Sequence, residues 1–175
     1  MSLNYSFKTA RKKIDALDSG ERETFLAICR DIQKSQEALT VQAAPLLAGC
    51  MTHCQGLCCR NIHPADIITE WDLIYILGMA PQIEDAMRAC LTRERFFSAD
   101  CLFLENGTGP CLFPENLRPE RCIISFCRVE PSIEKAIGQV MGGFGRMIRF
   151  FMFRPLRRLL KRKPTVSLPR PRSSG

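Results

Sequence analysis

Eight of the ten cysteines in this 175-residue chain fall into two groups, Cys50, Cys54, Cys58 and Cys59, then Cys101, Cys111, Cys122 and Cys127. Thiolates gathered in this way are soft donors that suit zinc or an iron–sulfur cluster and poorly suit magnesium or calcium. Cys50, Cys54 and Cys58 recur every four residues, so any helical part places them along one face, while Gly56 permits a tight departure of the backbone. Adjacent Cys58 and Cys59 cannot both point the same way in regular structure; either they serve different metal positions, or one ligates and the other packs. Eight thiolates can build two closed four-thiolate sites, or one cluster with a separate use for the rest. The spacing is neither that of a two-cluster bacterial ferredoxin nor a pair of CxxC knuckles. The alternative is that these cysteines are buried and free, packing as small hydrophobes. His53 lies inside the first group and His63 just beyond it, where either can replace a thiolate or support one.

The elements that would position these groups are mostly helical. Residues 5–17 and 20–39 read as two helices, the second starting at Ser19 or Gly20 and carrying Phe25, Cys29, Ile32 and Leu39 at helical spacing. Pro64 or Thr69 opens a third, with Thr69 and Asp72 at capping distance and a stop expected at Gly78. Pro81 opens a fourth through Arg93 that includes Cys90. Cys29 and Cys90 are assigned to packing. The run CLFLENGTGPCLF places two apolar stretches around Asn106–Gly109 and predicts a β-hairpin holding Cys101 near Cys111. Pro119 suits the first position of a short helix with Cys122 and Phe126 on one side, and Pro131 restarts a helical pattern. Asp66, Glu70 and Asp72 read as a solvated face and cap, and Trp71, Leu73 and Tyr75 as core and rim. The expected fold is mainly α with a small β-hairpin: a compact cysteine-rich metal-binding domain followed by a basic C-terminal helix. Its divisions are a helical part over 1–48, a cysteine-cluster core over 49–130, a basic amphipathic extension over 131–163 and a flexible tail over 164–175.

The net charge of +7 is unevenly spread. Residues 1–130 hold 14 Lys and Arg against 17 Asp and Glu, whereas 131–175 hold 11 against 1. A basic tail on a mildly acidic body suggests an electrostatic partner for the tail, an acidic protein face or an anionic membrane surface ahead of nucleic acid. In GGFGRMIRFFMFRPLRRLLKRK, the residues Phe144, Met147, Ile148, Phe151, Leu156, Leu159 and Leu160 interleave with basic side chains. That pattern is an amphipathic basic helix whose apolar stripe either packs on the domain or docks elsewhere, with a kink or restart at Pro155. The basic start MSLNYSFKTARKK runs into polar sequence instead of an apolar signal core, so a cytoplasmic, reducing setting is expected, with docking at the inner face of a membrane as an extension of that reading.

The run Cys50-x-x-x-Cys54-x-Gly56-x-Cys58-Cys59-Arg60, then Ala65-Asp66-Ile67, Cys101-x-x-Leu104, Gly109-x-Cys111, Arg118-Pro119-x-x-Cys122 and Phe126-Cys127 resembles the YkgJ-type cysteine-cluster family. The resemblance covers residues 50–127 in matching order. It implies a zinc- or iron-chelating domain, often described as an iron–sulfur protein, with the eight cysteines as binding residues, Asp66 at the start of a recurrent helix, and Arg118 and Pro119 shaping the approach to Cys122. The expected cofactor is an iron–sulfur cluster, [4Fe–4S], in an electron-transfer, sensing or accessory role. Zinc in a structural or metal-handling module is the alternative, and a metal-dependent enzyme the second alternative. Catalytic motifs for nucleotide, serine-hydrolase or zinc-protease chemistry do not occur in the sequence, and the reading leans away from an enzyme.

Overall fold

The computed structural model describes residues 2–49, 63–92, 101–105, 110–126 and 130–161. Helix α1 (Leu3–Asp15) opens on Ser2, whose Oγ accepts from the Tyr5 N–H, and buries Phe7, Ala10 and Ile14 along one face. Helix α2 (Ser19–Gly49) is longer than its expected span of 20–39, because Leu39, Ala43, Leu46 and Leu47 continue the apolar stripe past Thr40. Its start is set by Asp18. The Asp18 carboxylate accepts from the Glu21 N–H, and Glu21 accepts from the Asp18 N–H, a reciprocal cap one residue earlier than Ser19.

After the short helix α3 (Pro64–Ile67), helix α4 (Glu70–Met79) runs through the middle of the molecule. Its residues from Asp72 to Leu77 are all buried, so it is apolar on nearly every side and packs against both α1 and α2. The helix does not stop at Gly78. That glycine continues it because the Phe25 ring presses there: a Cβ would lie 2.5 Å from the ring. A 3-10 turn (Pro81–Ile83) leads into α5 (Glu84–Thr92), and a second 3-10 turn (Glu115–Leu117) precedes α6 (Glu120–Ile124). Pro119 is the N-cap of α6 and not its first helical residue.

Helix α7 (Pro131–Lys161) lies along α2 and continues through Pro155. Ile133, Ala136, Val140, Phe144, Met147, Phe150 and Phe151 are buried, so the apolar stripe of the basic segment is largely core. Phe144 packs edge-on to Tyr75, and Phe151 does so to Phe25, each with ring centres about 5.5 Å apart or closer. Arg154 donates to Glu21 and to the Ala16 carbonyl, which pins the far end of α7 to the α1–α2 junction. Among the described residues, no helix is long and apolar enough to cross a membrane.

Helices α2 and α7 pack closely at Gly143, where a Cβ would sit 2.8 Å from Ile32 Cγ1. Ile32 is fully buried and β-branched, so it has little room to move. Gly138 on the same helix faces open space. Gly143→Ala is therefore expected to destabilise by about 1 kcal/mol, overpacking outweighing the gain in helix propensity, while Gly138→Ala stabilises by a similar amount. Urea denaturation of the two variants checks the opposite signs.

Among the described residues the small β-hairpin is not found, and the fold class is corrected to all-α over those residues, which are 83% helical and contain no strand. Leu104 and Cys111 form a single isolated antiparallel bridge. Glu105 N donates to Pro110 O and Leu112 N to Phe103 O, but Pro110 has no N–H to return to Glu105. On the other side the chain turns at once, with Leu104 N bonded to Cys101 O. A ladder blocked on one side and turned on the other cannot lengthen into strands. The turn residues 106–109 lie outside the described residues.

Candidate metal centre

The segment leading to Cys122 is held by buried polar side chains on two different helices. Gln36 of α2, fully buried, donates from Nε2 to the Arg118 carbonyl at 2.8 Å and accepts the Arg118 N–H on Oε1 at 3.0 Å. Its amide thereby satisfies both backbone groups of one residue, 82 positions away. Tyr75 of α4 donates its hydroxyl to the Asn116 carbonyl at 3.1 Å, and Asn116 donates to Glu37 at 2.8 Å.

Asp72 completes the hold. Its Oδ2 accepts from the Thr69 N–H at 2.7 Å and the Thr69 hydroxyl at 2.6 Å, closing the capping box of α4. Its Oδ1 accepts the Glu120 N–H at 2.6 Å, so the same carboxylate caps the start of α6. Burial raises the Asp72 carboxyl above the usual carboxylate range, opposed by the bonds from Thr69 and Glu120. The cap at Thr69 was legible in sequence; the solvated face expected of Asp72 was not found, because the second helix start draws its carboxylate inward. Asp66 is exposed near His63 Nδ1 at 3.7 Å, and Glu70 pairs with Lys13 at 2.6 Å.

Of the eight expected ligands, Cys50, Cys54, Cys58, Cys59 and Cys127 lie outside the described residues, as does His53. Cys101 is buried at the turn that leads into the Leu104–Cys111 bridge. Cys111 is half-buried and pairs with Leu104 in the bridge. Burial raises the Cys111 thiol above its ordinary value, opposed only in part by the Phe113 backbone and the positive charge of Arg118. Cys122 sits in α6 and shares the wall of a small cavity with Arg118, Thr40 and Leu47. Leu47 stands three residues before Cys50 in sequence, so Cys122 is seated near the end of the helix that leads toward the first group.

Cys101, Cys111 and Cys122 do not by themselves gather into a metal-holding set: among the described residues, no three His, Cys, Asp or Glu side chains do so. Their chemistry still fits a soft metal. Three thiol side chains are donors of the type that zinc and iron–sulfur centres take.

Cys29 is fully buried in α2, and burial drives its thiol far above the ordinary range. Cys90 packs against the core, as its spacing suggested, and it also lines a cavity of about 320 Å³ with Cys111, Phe103 and Leu104. Its helical spacing on α5 gave no sign of this neighbour, because the contact depends on how residues 101–112 fold back.

No protein-family model matches the chain, and neither a curated protein nor a solved structure does.

Proposed function

We propose that this chain binds a metal centre through thiolates drawn from both cysteine groups, and that the centre is an iron–sulfur cluster, [4Fe–4S], serving electron transfer, sensing or an accessory role. The observation that carries the reading is the position of Cys122 on α6, in the wall of a small cavity that Leu47 near the end of α2 also lines. Leu47 stands three residues before Cys50 in sequence, so one member of the second group packs at the end of the helix that leads toward the first. A bound cluster would supply one-electron chemistry. The chain's own part is to fix the ligands: Gln36 and Asp72 hold the backbone around Cys122, and Tyr75 holds the turn before it.

The same donor set accommodates zinc in a structural or metal-handling module, and composition separates the two. Protein purified without oxygen is expected to contain iron and acid-labile sulfide in equal amounts and to be brown. Colourless protein with stoichiometric zinc decides for the alternative, and protein with neither metal removes the reading.

We place the protein in the cytoplasm, docked on an anionic membrane surface. Arg146 and Arg154 are engaged with Asp31 and Glu21, and most of the apolar stripe is core, so the docking face is the far end of α7. Met152, Phe153 and Leu156 are exposed there, and Arg157, Arg158 and Lys161 follow in sequence. Replacing all three apolar residues by serine is expected to weaken sedimentation with phosphatidylglycerol vesicles by more than about 10-fold, from the apolar area withdrawn. Unchanged sedimentation would move the basic end to an acidic protein partner.

A further inference from the structure

Several hydroxyls on the helices of this protein are satisfied locally. Thr24 donates to the Gly20 carbonyl at 2.9 Å, Ser35 to Asp31 at 2.9 Å and Thr92 to Arg88 at 3.1 Å, each returning its hydrogen to the preceding turn. The Oγ1 of Thr40 on α2 is buried, yet it has no hydrogen-bond partner among the described residues. Arg118 shows the same anomaly. Its backbone N–H and carbonyl are both satisfied by Gln36, while its Nε is buried without a partner among the described residues. Leaving a buried donor unmade costs about 1–3 kcal/mol, so two such donors in one place call for an acceptor.

Both side chains line the cavity of about 40 Å³ that also meets Cys122, with Leu47, Glu115, Ile123, Ser125 and Phe126 on its other sides, and neither Glu115 nor Ser125 accepts from them. A guanidinium N–H beside a hydroxyl, in a largely apolar enclosure, selects an acceptor carrying negative charge. Cys122 puts sulfur on the wall of that enclosure.

We propose that Thr40 Oγ1 and Arg118 Nε donate hydrogen bonds to the metal-bound sulfur on the Cys122 side of the centre, the Cys122 thiolate or a bridging sulfide. This rests on the metal-centre reading above and makes Thr40 and Arg118 positioning residues that tune the centre without ligating it. Hydrogen bonds to a cluster sulfur withdraw charge from it and favour the reduced form, which raises the reduction potential. On zinc the same bonds hold the thiolate in its bound orientation.

The test compares wild type, Thr40→Val, Thr40→Ser and Arg118→Gln after anaerobic reconstitution with iron and sulfide. Iron and sulfide per chain should match wild type in all three variants. The reduction potential should move to more negative values in Thr40→Val and Arg118→Gln, and return to the wild-type value in Thr40→Ser. Equal potentials in fully loaded proteins overturn the proposal while leaving the metal centre standing. If wild type takes up zinc and no cluster, the readout is zinc transfer to a chromogenic chelator: affinity about 10-fold weaker in Thr40→Val is expected, and equal affinity overturns it. Wild type that takes up neither metal overturns both readings.

Discussion

Replacing Asp72 by alanine is expected to lower the unfolding free energy by about 3 kcal/mol, the largest single-site loss outside the aromatic core. The carboxylate has three donors, and two of them are backbone N–H groups at the starts of different helices. Alanine leaves the Thr69 and Glu120 N–H groups without acceptors in positions that water reaches poorly, and it also opens the space the carboxylate filled. For a chain of this length, that loss corresponds to a drop in melting temperature of about 6–12 °C. Asp72→Asn keeps the shape and one acceptor but turns an amide N–H toward a donor, so its expected loss is about half. An alanine variant as stable as wild type would mean that the two helix starts do not depend on Asp72. The same variant should bind metal less tightly, because α6 carries Cys122 and loses its cap.

Replacing Cys111 or Cys122 by serine is expected to weaken metal binding by about 100-fold, whereas Cys29→Ser leaves metal content unchanged. The magnitude follows from removing one of four ligands whose combined contribution is on the order of 10–16 kcal/mol for zinc, part of which water or a neighbouring group recovers. Cys29 is enclosed by the core, remote in chemistry from any thiolate role, and its serine variant should show reduced stability instead. Metal analysis of the three purified variants separates the cases. Loss of metal in the Cys29 variant alone would reverse the division of the cysteines into ligands and packing residues.

The helices were legible in sequence wherever burial imposes a 3.6-residue period, as for Phe7, Ala10 and Ile14 of α1 or Phe25, Cys29 and Ile32 of α2. The misreadings share a different cause. Two apolar runs around Asn106–Gly109 match hairpin chemistry, but pairing needs donors on both sides, and Pro110 removes one. Asp72 looked like a surface cap because its second partner, Glu120, lies 48 residues on. Gln36 gave no signal at all, since its role is to match one backbone position 82 residues later. Gly78 read as a helix stop, yet the Phe25 ring explains it better. Contacts of this kind belong to the packed fold and leave no local pattern. The cysteine groups carry an expectation of soft-metal chemistry from their spacing alone, and the structure adds where Cys101, Cys111 and Cys122 stand.

The basic segment changes meaning once α7 is seen whole. Arg154 is an internal strut on Glu21, and Arg146 lies 3.7 Å from Asp31, so two of the cations read as partner-seeking are already satisfied within the chain. What remains for an outside surface is the end beyond Phe151, where Met152, Phe153 and Leu156 face solvent.

X-ray absorption at the metal edge of protein purified without oxygen tests the central claim most directly. The account predicts an iron or zinc edge whose first shell is sulfur alone, four neighbours at about 2.3 Å, with iron–iron scattering in addition if the centre is a cluster. A first shell of nitrogen and oxygen, or protein that carries no metal at all, would contradict it.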